Sequence, residues 1–524
     1  MRYRALAILL ALIGGASSIA GAQGTRPRTM YEDLQMLSGV LNQLRANHPD
    51  SLDAHELIMA GIEGMVHAAD PHSYVIVRAR LDSAKERAWR DNELYPVGIS
   101  FSYSGGAPVV VGVAPGSNAA QQDILPGDEL IAIDGIPVRA TSETELEIAL
   151  GGPRNSTVRL VFERERSDGS VVQLPRDVKR EKLDEETAVP AAFMLGGGAG
   201  YLRLTSFDNE KVADDVRDAL GRLEKAGMSQ LVLDLRDNPG GMVREASSVA
   251  GEFLPGGSVV YMSSGRKSDV GDTVKVTRWF RGQKKYPLVV MINEGSASAA
   301  ELLAGALQDH DRALVYGRPS FGKSLLMQGF PLPDGSLFVM VVGQVKTPCG
   351  RVIQREYRGI SRHDYYRRAR AERDTLGRPS CRTDGGRTVY GGGGIYPDVQ
   401  SSVRWTRPAW ASQIGEAGLA TRWAAAQLSD GRVAFASLDE LAAAKALPAA
   451  QLADFRAFAA RQGVTVPEGA QADASLQRLL TVSLARVKFG EAGYYRLSAL
   501  LDPEVEEARG ALTRAGTILG ASTR

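Results

Sequence analysis

Residues Gly317 to Ser324 read GRPSFGKS, the spacing G-x-x-x-x-G-K-[ST] with which a phosphate-binding loop cradles a nucleotide. That chemistry depends on the surroundings of the loop: a strand must feed it, and a helix must leave it so that backbone N–H groups and the helix N-terminus can hold the anion. The stretch ALVYG ahead of the loop has strand character, and LVLD ending at Asp234 imitates the carboxylate that accompanies such loops. The residues after Lys323 do not comply. SLLMQGFPLPDG is broken at Gly329, Pro331 and Pro333, so no long helix can present its N-terminus to a phosphate. The two motifs also occur in reversed order, and Lys323 needs another partner.

A better partner lies upstream. EGSASAAELLAGALQ places Ser298 where a buried strand gives way to a helix. Two readings of that serine stand side by side. Ser298 and Glu301 form the S-x-x-E pattern of a capping box, which needs no catalysis. The position also suits a nucleophile, because the next amide, that of Ala299, sits at the partly positive helix terminus where an oxyanion can be held.

Other chemistries find less material. The six histidines, His48, His55, His67, His72, His310 and His363, are scattered without an H-E-x-x-H pattern, and Cys349 and Cys381 lack C-x-x-C spacing, so no metal site is expected. In an oxidising compartment the two cysteines are a candidate disulfide; the sequence leaves that open. A net charge of +1, with 44% hydrophobic and 23% charged residues, fits a globular protein with no global field for nucleic acid or an anionic membrane.

The elements that must position these residues can be traced along the chain. Arg2 and Arg4 precede the apolar run ALAILLALI and the small-residue stretch Ala20-Gly21-Ala22, which reads as a signal peptide over 1–22, cleaved after Ala22. A membrane anchor is the alternative, but the run is far short of the roughly 20 residues a spanning helix needs. The mature chain is thus expected to be periplasmic or secreted, with no integral membrane segment, away from nucleotide. Helical periodicity marks 29–90 as an N-terminal helical domain. Short alternating strands with glycine turns occupy 95–166. From about 190 to 400 strands alternate with helices, as in YLRLTSF, VADDVRDALGRLEKAG, LVLDLRDNPGG and PLVVMIN, which implies a layered α/β core. Residues 361–382 hold seven arginines and read as a solvated insertion, with a polyanion site as the alternative. The alanine- and leucine-rich remainder, 405–524, is helical, and either docks on the core or builds a homo-oligomer.

Two resemblances sharpen this outline. The 95–166 block resembles a PDZ domain in its strand order, in PGDELIAIDG from Pro126 to Gly135 and in its single helix before the last strand. The likeness implies that an extended peptide adds to a sheet edge while backbone near Pro96, Val97, Gly98 and Ile99 captures its terminal carboxylate. A β-rich packing domain without a ligand is the plainer reading. NEGSASAAELLAGALQDHDRALVYGRPSFGKS, with LVLDLRDNPGG, YLRLTSF, TPCGRVIQ and GGGGIYPD, resembles the carboxyl-terminal processing (tail-specific) serine peptidases over roughly residues 29–400, a span that includes DPHS at Asp70–Ser73. It implies an enzyme with a helical N-terminal piece, a PDZ domain and a peptidase core; with the helical C-terminal region that follows, the expected fold class is multidomain α/β. Its substrates would be proteins or peptides with unstructured C-termini, and it would need no cofactor. By the same resemblance Ser298 is the nucleophile, Lys323 the general base, and the amides of Gly241 and Ala299 the oxyanion hole. One departure matters. The glutamine usual four residues after the lysine is Met327 here, with Gln328 one residue later as the candidate orienting residue, and Ser324 replaces the usual glycine. A catalytically inactive PDZ-containing scaffold is therefore the alternative function.

Overall fold

The computed structural model describes residues 29–76, 93–102, 108–114, 117–138, 143–166, 168–183, 187–267, 270–277, 284–360, 362–371, 374–403, 408–444 and 447–522. The expected signal peptide lies outside them. The chain divides into two compact units, residues up to Ala69 and residues from Asp70 onward. In the first, helices Met30–Asn47 and Ala54–Ala69 flank the break at Pro49-Asp50. Thr29 caps the earlier helix by accepting from the Glu32 amide while Glu32 accepts from the Thr29 amide.

The expected helical stretch also contains a strand, and its residues 77–90 lie outside the described residues. Tyr74–Ile76 is a strand paired antiparallel with Leu337–Val339, deep in the second unit's sequence. Only three residues long, it is too short to declare itself by alternation.

The β-rich block folds as an antiparallel sheet in the order Ile99–Ser102, Val109–Val113, Glu129–Ile133, Thr157–Glu165, Val171–Lys179, with Ile136–Pro137 paired to the third of these. The sheet thus runs past the expected boundary at 166. Alternation along Thr157–Glu165 turns Val158, Leu160 and Phe162 inward, onto Leu146 and Leu150 of helix Glu143–Leu150. The inward residue next in line is Arg164, and its guanidinium is held by both carboxylate oxygens of fully buried Asp128, at 2.7 and 2.8 Å. Asp128 belongs to the PGDE run, whose turn it closes by accepting the Leu125 amide.

The core is a six-stranded sheet in the order Val399–Gln400, Leu314–Gly317, Leu288–Ile292, Gln230–Asp234, Ala199–Arg203, Ala191–Gly196, parallel except for the last pair. A parallel sheet is buried on both faces, which is why its strands read as unbroken apolar runs. Leu231, Leu233, Val290 and Ile292 face helices Val212–Lys225, Val243–Phe253 and Ala299–Asp309. Val232, Val289, Met291, Leu314 and Tyr316 face Val505, Ala508, Leu512 and Ala515 of the C-terminal helices Pro503–Gly510 and Leu512–Ser522. The C-terminal region therefore docks on the core and supplies one of its layers. A second sheet joins Tyr74–Ile76, Leu337–Lys346, Val259–Gly265 and Thr273–Lys275, with Leu325–Pro331 also paired to Leu337–Lys346.

The arginine-rich insertion is more ordered than its composition implies. It contains helix Arg362–Ala371, whose Tyr365 is completely buried, and strand Ser380–Arg382. Cys349 and Cys381 form the disulfide that closes it, 32 residues apart. For a loop of that length the constraint on the unfolded chain amounts to about 2–4 kcal/mol. Cys349→Ser is expected to lower unfolding stability by that amount, measured by denaturant titration, whereas wild type in strong reductant should match the variant.

Candidate active site

The parallel strands Gln230–Asp234, Leu288–Ile292 and Leu314–Gly317 are neighbours, and the loops at their carboxyl ends carry Gly241, Ser298 and Lys323 respectively. Ligand sites of open α/β sheets belong at that edge. The first two loops are laced together. Asn293 accepts from the Asp237 amide at 2.8 Å and donates to the Asp237 carboxylate at 2.9 Å. Ser296 Oγ donates to the Leu235 carbonyl at 2.8 Å, and the Ala297 amide donates to the Asn238 carbonyl at 2.9 Å.

Ser298 ends this lacing with φ 54° and ψ −117°, a conformation costing a residue with a Cβ about 1–3 kcal/mol. It enters helix Ala299–Asp309 directly, as the sequence predicts. The glycine pair Gly240-Gly241 lets the neighbouring loop close against it. A Cβ on Gly240, at φ 101°, would stand 2.8 Å from Ser298 Cβ and from the Ala299 nitrogen, and one on Gly241, at φ 131°, would stand 2.4 Å from the Phe207 carbonyl carbon. Among the described residues, neither the Gly241 nor the Ala299 amide donates a hydrogen bond within the protein. Two unspent donors thus lie in loops pressed together beside the serine.

The third loop reaches the second through a backbone bond from the Phe321 amide to the Ser296 carbonyl at 2.9 Å, and one side chain joins it to the Ser298 amide itself. Glu301, fully buried, accepts from the Ser298 and Lys323 amides with the same oxygen, Oε2, at 2.9 and 2.8 Å. Its other oxygen accepts from the Gly322 amide at 2.7 Å and from Ser320 Oγ. The S-x-x-E pattern is therefore real as a contact to the Ser298 amide, and its glutamate has a larger task than capping. The same bonds dispose of the nucleotide reading: the Gly322 and Lys323 amides that a phosphate would need are occupied by a carboxylate, and the next element is a strand rather than a helix, Leu325–Pro331.

Burial pulls the Lys323 amine below its ordinary pKa, against the opposing charges of Glu301 and Asp70. Burial likewise pushes the Glu301 carboxyl up to about 7, although four donors favour its anion. Asp70 is held at the DPHS turn by the His72 and Ser73 amides and by Ser73 Oγ, and Ser73 Oγ in turn accepts the Val341 amide at 3.1 Å.

Leu325–Pro331 pairs with Leu337–Lys346, and the pairing shifts between Leu326–Gly343 and Met327–Val341. The extra residue, Val342, belongs to the partner strand. Met327 and Gln328 therefore keep opposite faces, Met327 half-buried and Gln328 exposed. No hydrogen bond joins Gln328 to Lys323 among the described residues. The amide that does grip this loop is Gln354, buried in the TPCGRVIQ stretch: its Oε1 accepts the Ser324 amide at 2.9 Å and its Nε2 donates to the Tyr365 hydroxyl at 3.1 Å. Tyr365 donates to the Gly322 carbonyl at 3.1 Å. Sequence reasoning missed Gln354 and Tyr365, the latter because it lies within the arginine-rich run.

Among the described residues, Ile99–Ser102 is an edge strand of the PDZ-like sheet, paired only with Val109–Val113. Pro96 accepts the Glu181 amide, Val97 is buried, and Gly98 has φ 74°. No hydrogen bond from the Val97 or Gly98 amide occurs among the described residues.

A family model for Peptidase family S41 matches residues 198–364, and one for a PDZ domain matches 109–164. The chain is 30% identical over 349 residues to a carboxy-terminal-processing protease of Bartonella bacilliformis, covering 65% of this chain and 77% of that one. It is 35% identical over 264 residues to the chloroplastic carboxyl-terminal-processing peptidase 2 of Arabidopsis thaliana, 48% of this chain and 50% of that one. The solved photosystem II D1 C-terminal processing protease is matched at 24% identity over 71% of this chain and 87% of its own, with a TM-score of 0.36, too loose for residue-level comparison.

The Glu301 carboxyl supplies a test independent of turnover. Its folded pKa of about 7 lies above the ordinary value of 4.5, so folding binds a proton between those pH values. Stability from this group is full below about 4.5 and is lost as pH rises through about 7. Glu301→Gln cannot titrate and is expected to remove that component of the slope, leaving stability less dependent on pH; melting temperatures of both proteins from pH 4 to 8 check this.

Proposed function

The chain belongs to peptidase family S41, among the carboxy-terminal-processing proteases, and from that premise we propose that it is a serine endopeptidase working with a Ser298/Lys323 dyad. The observation that carries this reading is the Glu301 Oε2 atom, which binds the amides of both residues at once. Lys323 accepts a proton only as the neutral amine. Burial holds its pKa below the ordinary lysine value, which favours that neutral form against the opposing charges of Glu301 and Asp70. Ser298 Oγ attacks the scissile carbonyl as its proton passes to Lys323 Nζ. The developing oxyanion is met by the Gly241 and Ala299 N–H groups. Lys323 returns the proton to the leaving amine, and water then hydrolyses the acyl-enzyme.

The PDZ domain binds the substrate tail. A peptide extends the free edge of Ile99–Ser102, with its terminal carboxylate on the backbone of Pro96, Val97, Gly98 and Ile99. Cleavage upstream of that tail, by an enzyme exported through the 1–22 segment, fits the domain order. No helix among the described residues is long and apolar enough to cross a membrane. The exposed Gln328 supports a second reading, a peptide-binding scaffold with a weak or dead dyad.

Turnover of an unstructured protein with an apolar C-terminal tail separates the two. Ser298→Ala and Lys323→Ala are expected to lose at least about 10³-fold in kcat, and a serine-directed phosphonate should label wild type and not Ser298→Ala. Tail binding without cleavage or labelling would favour the scaffold. Gln328→Ala tests the orienting role: kcat unchanged would remove Gln328 from the site. Amidating the tail carboxylate should weaken binding by at least about tenfold, as expected when a buried acceptor contact is lost.

A further inference from the structure

The same three loops meet a second time, at a helix more than 180 residues beyond Lys323. Glu504, 1% exposed on helix Pro503–Gly510, accepts from Arg236 Nη1 at 2.8 Å and from Arg318 Nη1. Arg318 Nε donates to Glu294 at 3.0 Å. Each loop thus contributes one charged residue: Arg236 after the first strand, Glu294 after the second and Arg318 after the third. Arg236 stands five residues before Gly241 and Arg318 five before Lys323. The other end of the Arg236 guanidinium grips Asp234 at 2.7 Å, and its Nη1 also reaches Asp502 at 2.9 Å.

We propose that Glu504 is a positioning residue for the peptidase reaction: by holding Arg236 and Arg318 on one carboxylate it fixes the spacing between the loop that bears the oxyanion amide and the loop that bears the base. The inference rests on the Ser298/Lys323 reading. Glu301 joins serine to lysine, but its hydrogen bonds reach neither Arg236 nor Gly241. Glu504 supplies the missing side of the triangle. Its helix makes a firm reference because it is secured elsewhere. Val505 and Ala508 are buried against the core sheet, and Glu507 takes the Tyr316 hydroxyl and the Ser402 amide. Displacements near 1 Å cost about 10²-fold in well-aligned sites, and removing one partner of a buried ion pair leaves the other charge uncompensated.

The test compares Glu504→Gln with Glu507→Gln in the full mature chain. Glu507 secures the same helix and touches neither arginine. Glu504→Gln is expected to lower kcat about 10–100-fold with KM within about twofold, and Glu504→Gln/Arg318→Gln to be little worse than the single variant, since both remove one network. Glu507→Gln should lower the melting temperature comparably while leaving kcat within about threefold of wild type. Amide hydrogen exchange over 236–241 and 318–323 should accelerate in Glu504→Gln alone. Equal kcat losses in the two variants, or a Glu504→Gln protein with unchanged kcat and exchange, would overturn the proposal. If Ser298→Ala retained turnover, the dyad reading would fail, and the exchange comparison would still decide whether Glu504 fixes these loops.

Discussion

A carboxylate taken out of water must find its hydrogen bonds in the protein, and Glu301 finds four, from Ser298, Ser320, Gly322 and Lys323. Those donors come from two loops, so the desolvated charge also sets the relation between the serine and the lysine. The constraint is severe because three of the four are backbone amides, fixed by the chain path. Ser298 is held at a positive φ by the combination of this bond and the glycine loop packed on it. A residue that elsewhere would only cap a helix here determines where the serine and lysine segments can run together, because burial makes its unsatisfied state expensive.

The sheet beneath obeys a simpler rule. Unbroken apolar strands need cover on both faces, and the helices between the strands supply only one. The second cover comes from the end of the chain, where the alanine content has a packing use: Ala508 and Ala515 let the helices lie near the strands. The C-terminal body reaches further, since Arg422 pairs with Glu129 and Glu165 of the PDZ-like sheet. One helical body therefore touches the PDZ-like sheet and the loops of the candidate site.

How much of this is legible in the sequence depends on range. The strand-to-helix passage at Ser298, the alternating core, the PDZ strand order and the lack of a helix after Lys323 all arise from local pattern, and all are present in the structure. The S-x-x-E spacing foretells one of the four Glu301 bonds; the remaining three depend on a loop some 20 residues away that no periodicity brings near. Tyr74–Ile76 falls in helical territory by pattern because its partner is supplied only by the distant 337–339 segment. The buried Tyr365 is hidden by arginines on its own helix, and spacing alone does not join Cys349 to Cys381, since the bond needs a geometry that only the fold provides.

The candidate site is bracketed by two contacts of equal reach. Ser73 bonds Val341 on one side and Arg236 bonds Glu504 on the other, each across 268 residues of sequence. Contacts of that separation close late, after local helices and hairpins have formed. The serine, the lysine and both glycines are all present in a chain that has emerged only as far as residue 400, yet such a chain lacks the second face of its sheet and the carboxylate that joins Arg236 to Arg318. Assembly of the last helices and completion of the charge network joining these loops are thus one event, and a growing polypeptide carries the residues of the candidate site in its sequence well before it carries their arrangement in space.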